Sequence, residues 1–276
     1  MKNKDKKDLI KDIIEYSKEL RLPQIRKHLK ETMEEAYQDQ VSYEQFLHSL
    51  LQKEYDQRIE NGKLNRIRIA GFPAKKYLED LRVEELPIDA QRKLSLLKTL
   101  DFIKNGQNVI LAGSPGTGKT HLSIALGIKA CLAGYRVFFT TVPLLINQLK
   151  EARGQSVLRS FELRFEKYDL VIADELGYIS FDKEGSELLF TNLSLRAGRK
   201  STIITTNLSF ERWDEIFLDP VITAAMVDRL THKSYLVNMN GPSYRMKETK
   251  AWLKKHQEVE DFSVEEDGKE IMKIQQ

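Results

Sequence analysis

Eight residues, Gly113-Ser-Pro-Gly-Thr-Gly-Lys-Thr120, fit G-x-x-x-x-G-K-[ST] without a gap. An apolar run from Asn108 to Ala112 precedes them and a helical stretch from His121 to Ala130 follows, which places the loop between a strand and a helix. Glycines let such a loop curl until successive backbone N–H groups point inward at phosphates, at the positive end of the next helix. A nucleotide is therefore expected against Gly113, Ser114, Pro115, Gly116, Thr117, Gly118, Lys119, Thr120 and His121. Lys119 is expected to reach the β- and γ-phosphates, and the Thr120 hydroxyl to hold Mg²⁺. A glycine-rich turn that merely caps a helix is the alternative, and the flanking strand and helix argue against it.

Two further strand ends belong with this loop. Asp169 to Glu175 reads as a buried strand closing on two carboxylates. Asp174 suits the orientation of Mg²⁺ through its water shell, and Glu175 suits the polarisation of a water for attack on the γ-phosphate. An adjacent acid favours ATP hydrolysis over transfer to a substrate hydroxyl. Ser201 to Asn207 is the next strand; if it lies between the other two, Asn207 stands beside the γ-phosphate and holds the attacking water. Charge developing on that phosphate calls for cations, for which Arg229 and Arg245 are candidates, one acting across a subunit boundary and the other within its own subunit.

The 276 residues leave room for one α/β domain and a smaller appendage. No apolar stretch has the length of a membrane span, and the opening MKNKDKKDLIKD lacks the apolar centre of a signal peptide, so a cytoplasmic protein without a membrane partner is expected. The lone Cys131 excludes a disulfide framework and falls on the apolar side of its helix, where a small buried hydrophobe is expected.

Periodicity predicts a helical domain over residues 1–68, a basic connector over 69–93, an α/β domain over 94–256 and an acidic, disordered tail over 257–276. Leu9, Ile13, Ile14 and Leu20 form the expected apolar face of the first helix, Pro23 opens a second, and Ser42 with Gln45 makes a capping box for a third. The stretch from Asn61 to Asp89 reads as irregular, with Gly62, Gly71, Pro73 and Pro87. Strands at 108–112, 136–140, 169–173, 201–206 and 235–239, separated by helical crossovers, argue for a parallel sheet covered on both faces.

Net charge is only +3, but from Asn61 to Lys76 the bases Lys63, Arg66, Arg68, Lys75 and Lys76 occur with no acid among them. Such a run is a candidate footprint for a polyanion, and equally a solvated surface. Lys150, Arg153, Arg159 and Arg164 add bases between Pro143 and Lys167, long enough for two helices. Neither region has the residue spacing of base readout, so any DNA contact is expected at phosphates, largely independent of sequence.

GSPGTGKTHLSIALG, DELGY from Asp174 to Tyr178, STIITTN followed by Leu-Ser-Phe-Glu-Arg-Trp213, DRLTH from Asp228 to His232, and PSYR ending at Arg245 together resemble the IstB-like ATP-binding proteins. These are helper ATPases of IS21-class bacterial insertion sequences, in the initiator and helicase-loader branch of the AAA+ ATPases. The resemblance implies a five-stranded parallel sheet of order 5-1-4-3-2 behind an all-α N-terminal domain. It implies self-assembly on double-stranded DNA with ATP and Mg²⁺ at subunit boundaries, and a partner transposase. By the same resemblance Asn207 is sensor 1, Arg229 the arginine finger acting in trans and Arg245 sensor 2, while Arg153 and Arg159 lie on an added helix along nucleic acid. A replicative helicase loader of the same branch is the alternative, and one type of it is disfavoured because a single cysteine cannot build its zinc module.

Overall fold

A computed structural model describes residues 5–254, so the expected acidic tail lies outside the described residues. The chain divides into two compact units between Asn65 and Arg66. In the first, α1 (Lys6–Glu19), α2 (Pro23–Gln38) and most of α3 (Tyr43–Ile69) gather around Ile25, Leu29 and Leu50. Pro23 opens α2 as expected, since its missing N–H falls where a helix start has no acceptor to offer. The capping box forms in full: the Ser42 amide donates to Gln45 Oε1 at 3.0 Å and the Gln45 amide to Ser42 Oγ at 3.3 Å. The face of α1 differs from expectation. Ile10 and Ile14 turn inward, whereas Leu9, Ile13 and Leu20 are exposed.

A second correction concerns the connector. Asn61 to Ile69 continues α3 with Gly62 in the helix, the cost of a mid-helix glycine being about 1 kcal/mol and outweighed by the helix on either side. Residues 70–93 are not a separate linker: the Ala70 carbonyl accepts from the Phe139 amide at 2.8 Å. Ile67, Ala70, Leu78, Leu86 and Ala90 belong to the core of the second unit. α4 (Ile88–Lys98) therefore begins that unit's helical cover ahead of the expected start at 94, followed by the single turn α5 (Asp101–Lys104).

Five strands alternate with helices from there: β1 (Val109–Ala112), α6 (Lys119–Leu132), β2 (Val137–Thr141), α7 (Val142–Gly154), α8 (Leu158–Glu166), β3 (Leu170–Leu176), α9 (Lys183–Arg196), β4 (Ser201–Thr206), α10 (Asp214–Phe217), α11 (Pro220–Thr231) and β5 (Tyr235–Asn238). All strand pairs are parallel, in the order β2-β3-β4-β1-β5, the expected order read from its other edge. Alternation of side chains feeds two cores. Val109, Leu111, Leu170, Ile172 and Ile203 face α4 and α6, while Ile110, Val171, Ala173 and Ile204 face α7, α9 and α11. Such double-sided burial explains the apolar runs at 109–112 and 170–173, which do not alternate with polar residues. Cys131 is fully buried on α6, and burial pushes its thiol up to about 11, leaving it protonated and unreactive.

Candidate nucleotide-binding site

Parallel winding sets the carboxyl ends of β1, β3 and β4 along one edge, with Ala112 opposite Thr206 and β4 between the other two. The loop after β1 is shaped by backbone that only glycine adopts without strain. Gly113 has φ +154, and a Cβ there would stand 2.2 Å from the Met239 carbonyl carbon. Gly118, with φ +92, turns the chain into α6, whose first residue is Lys119. The segment after β5 braces this loop: Asn240 Oδ1 accepts from the Ser114 amide at 3.1 Å, and the Tyr244 amide donates to the Gly116 carbonyl at 2.9 Å.

Lys119 Nζ donates to the carbonyls of Gly113 at 2.8 Å and Ser114 at 2.7 Å. Burial pulls its ammonium down to about 8, Asp174 opposing and Arg245 adding to the effect. Thr120 Oγ1 lies 3.1 Å from both oxygens of Asp174, which also accepts from Thr205 Oγ1 at 2.5 Å. Burial pushes the Asp174 carboxyl above the usual carboxylate range, against the hydrogen bonds from Thr205 and Thr120 and the charges of Lys119 and Arg245. Next to it, Glu175 takes the left-handed conformation, φ +64, uncommon for a residue with a Cβ.

A cavity of about 610 Å³ unites these groups. Residues Pro115 to His121, Glu175, Asn207 and Arg245 line it, so seven of the nine expected loop residues and three of the strand-end and arginine candidates meet in one place. Lys75, Lys76, Arg82 and Tyr244 also line it, with the Arg82 guanidinium 5.8 Å from the centre of the Tyr244 ring. His121 is held below the usual histidine range by burial and by Lys76, and is neutral at pH 7. Arg229 does not line this cavity. It projects exposed from the last turn of α11, its guanidinium 5.2 Å from the centre of the Phe190 ring.

Residues 16–252 match the family described as IstB-like ATP binding protein. The chain belongs to the IstB-like ATP-binding family. It is 36% identical over 83% of its length to an insertion sequence IS21 putative ATP-binding protein of Pseudomonas aeruginosa, covering 86% of that protein. To an insertion sequence IS5376 putative ATP-binding protein of Geobacillus stearothermophilus it is 34% identical over 86% of its length, covering 94% of that relative. Among solved structures, AMPPCP-bound DnaA from Aquifex aeolicus superposes with a TM-score of 0.52 at 21% identity over 67% of this chain; the match spans 56% of DnaA and shows a shared AAA+ fold.

In this IstB-like chain the expected basic footprint is largely engaged elsewhere. The half-buried Arg66 donates through Nε to the Cys131 carbonyl at 2.8 Å, holding the end of α6. Lys75 and Lys76 line the nucleotide cavity. Lys63 pairs with Glu60 at 3.2 Å, Arg153 with Glu184 at 3.4 Å and Arg159 with Glu162 at 3.5 Å, while Arg68 is exposed on the last turn of α3. Sequence reading missed Thr205 and Asn240, which touch the carboxylate and the loop. No described helix is long and apolar enough to cross a membrane.

Proposed function

We propose that this chain is an ATP-hydrolysing switch that assembles with copies of itself on double-stranded DNA and brings a partner transposase to the target site. The observation that carries the reading is the meeting of both Asp174 oxygens at 3.1 Å with the hydroxyl of Thr120, a residue that lines the same cavity as Glu175, Asn207 and Arg245. A hydroxyl and a carboxylate are hard oxygen donors of the sort Mg²⁺ takes from proteins, one or two at a time with water and phosphate completing the set. Bound there, Mg²⁺ would neutralise charge on the β- and γ-phosphates.

The loop amides and Lys119 bind and orient the phosphates of ATP. Glu175 accepts a proton from the attacking water, Asn207 holds that water in line, and Arg245 stabilises charge on the γ-phosphate from within the same subunit. Arg229, exposed and away from its own cavity, serves the ATP of a neighbouring copy. Lys63, Arg68, Arg153 and Arg159 are the bases proposed to meet DNA phosphates, since an exposed ion pair is worth only about 0–1 kcal/mol and exchanges readily for a phosphate. Relatives 36% and 34% identical bear the name of insertion sequence putative ATP-binding proteins, which supports transposition over helicase loading.

Glu175→Gln tests the switch. ATP should bind as before, turnover should fall by about 10²–10⁴-fold, and the ATP-dependent assembly on DNA should persist when its mass is followed by light scattering. Unchanged turnover would remove Glu175 from the chemistry.

A further inference from the structure

Asp174 and Glu175 sit on an irregular stretch of β3. Pairing with β4 runs in register to Ala173 opposite Ile204, then resumes at Leu176 opposite Thr206. Three steps along β3 match two along β4, so β3 carries one extra residue at Asp174-Glu175, opposite Thr205 alone. A bulge of this kind re-aims side chains and leaves a backbone group outside the ladder. Here the displaced group is the amide of Glu175, in its left-handed conformation at φ +64.

Thr205 fills the gap. Its Oγ1 accepts from the Glu175 amide at 2.9 Å and donates to Asp174 Oδ1 at 2.5 Å. One hydroxyl has a single donor and two acceptor sites, so both bonds can form at once, and only a hydroxyl of this reach can make both. Thr205 is 2% exposed, on the lining of the cavity. Its branched Cβ narrows the choice of rotamer and so fixes the direction of the oxygen.

We propose that Thr205 is the positioning residue of the site, with its hydroxyl setting the aim of Asp174 and Glu175 together. Without the hydroxyl, a buried carboxylate oxygen and a buried amide lose their partners, and the bulge relaxes toward regular pairing that carries Glu175 away from the γ-phosphate position. The proposal rests on the reading of Asp174 and Glu175 given above.

The test compares full-length wild type with Thr205→Val, Thr205→Ala and Thr205→Ser, measuring ATP turnover against Mg²⁺ concentration, and ADP affinity in EDTA. Loss of a residue that orients a metal-binding carboxylate commonly costs about 10–100-fold in activity or metal affinity. Val and Ala variants should accordingly show kcat lowered by about 10–100-fold and a higher half-saturating Mg²⁺ concentration. Their ADP affinity in EDTA should stay at the wild-type value, because Lys119 and the loop do not touch Thr205. Thr205→Ser should recover most of the turnover. Wild-type kcat in the Val variant, or a Ser variant as impaired as Val, would overturn the proposal and leave the ATPase reading standing. Val and Ala variants that bind no ADP in EDTA would overturn it too, showing that the hydroxyl holds the fold and not the aim of the site. A wild type without turnover would overturn both.

Discussion

Lys119 spans the loop that a phosphate must enter, held by two carbonyls at 2.7 and 2.8 Å and drawn down to about 8 by burial. A triphosphate favours the charged ammonium and raises that value, so binding takes up a proton wherever the free protein has lost it. ATP affinity should be full below pH 8 and fall as pH rises through about 8, by up to tenfold per unit. Calorimetry in two buffers of different ionisation enthalpy should show proton uptake at pH 8.5–9 and little at pH 6.5, and Lys119→Ala should bind no ATP at either pH. A pH-independent affinity across this range would mean that Lys119 stays charged in the free protein. The same lysine makes the free protein more stable as pH climbs from about 8 toward the ordinary lysine range, because the unfolded chain keeps its proton longer.

Among the elements, α9 shows how a buried cation ties layers together. Arg196, at its last turn and 1% exposed, donates to the carbonyls of Phe165 at 2.8 Å, Tyr168 at 3.0 Å and Ser201 at 3.0 Å. Those carbonyls lie at the end of α8, before β3 and at the start of β4. Arg196→Leu would remove this donor from the Tyr168 and Ser201 carbonyls, while Phe165 keeps a bond from the Tyr168 amide at 3.4 Å; at about 1–3 kcal/mol for each, a stability loss of about 2 kcal/mol or more is expected from the urea midpoint, with ATP binding intact in the folded fraction. A shift under about 1 kcal/mol would show that water or local movement replaces the guanidinium.

The same elements show what a sequence displays and what it conceals. The central strands were legible because burial on both faces gives apolar runs at 109–112 and 170–173, and the loop was legible because its spacing is imposed by backbone conformation at Gly113, Gly116 and Gly118. Gly62 and the bases around it read as a break, yet tertiary packing of Ile67 and Ala70 carries α3 on to Ile69. Arg66 read as a free charge because nothing local announces its acceptor, a carbonyl 65 residues further along. Thr205 stayed hidden for a related reason: its role exists only once β3 and β4 are paired and the bulge places one residue opposite two.

For the whole molecule, the arrangement is a cavity that collects Lys119, Thr120, Glu175, Asn207 and Arg245 from one chain and leaves Arg229 outside it. The exposed guanidinium of Arg229 rests on Phe190, an aromatic face that holds it extended at the surface by a contact worth about 0.5–1 kcal/mol. On the function proposed above, hydrolysis is tied to assembly, because only a neighbouring copy can add the Arg229 cation to those already facing the γ-phosphate. The most direct measurement mixes Arg229→Ala protein with Lys119→Ala protein and follows ATP turnover in the presence of DNA. Each should be inactive alone. At equal proportions and random assembly, about a quarter of the boundaries pair an intact loop with an intact arginine, so turnover should rise to roughly that fraction of the wild-type rate. No recovery at any ratio, in assemblies shown to contain both proteins, would contradict a site completed by a second copy.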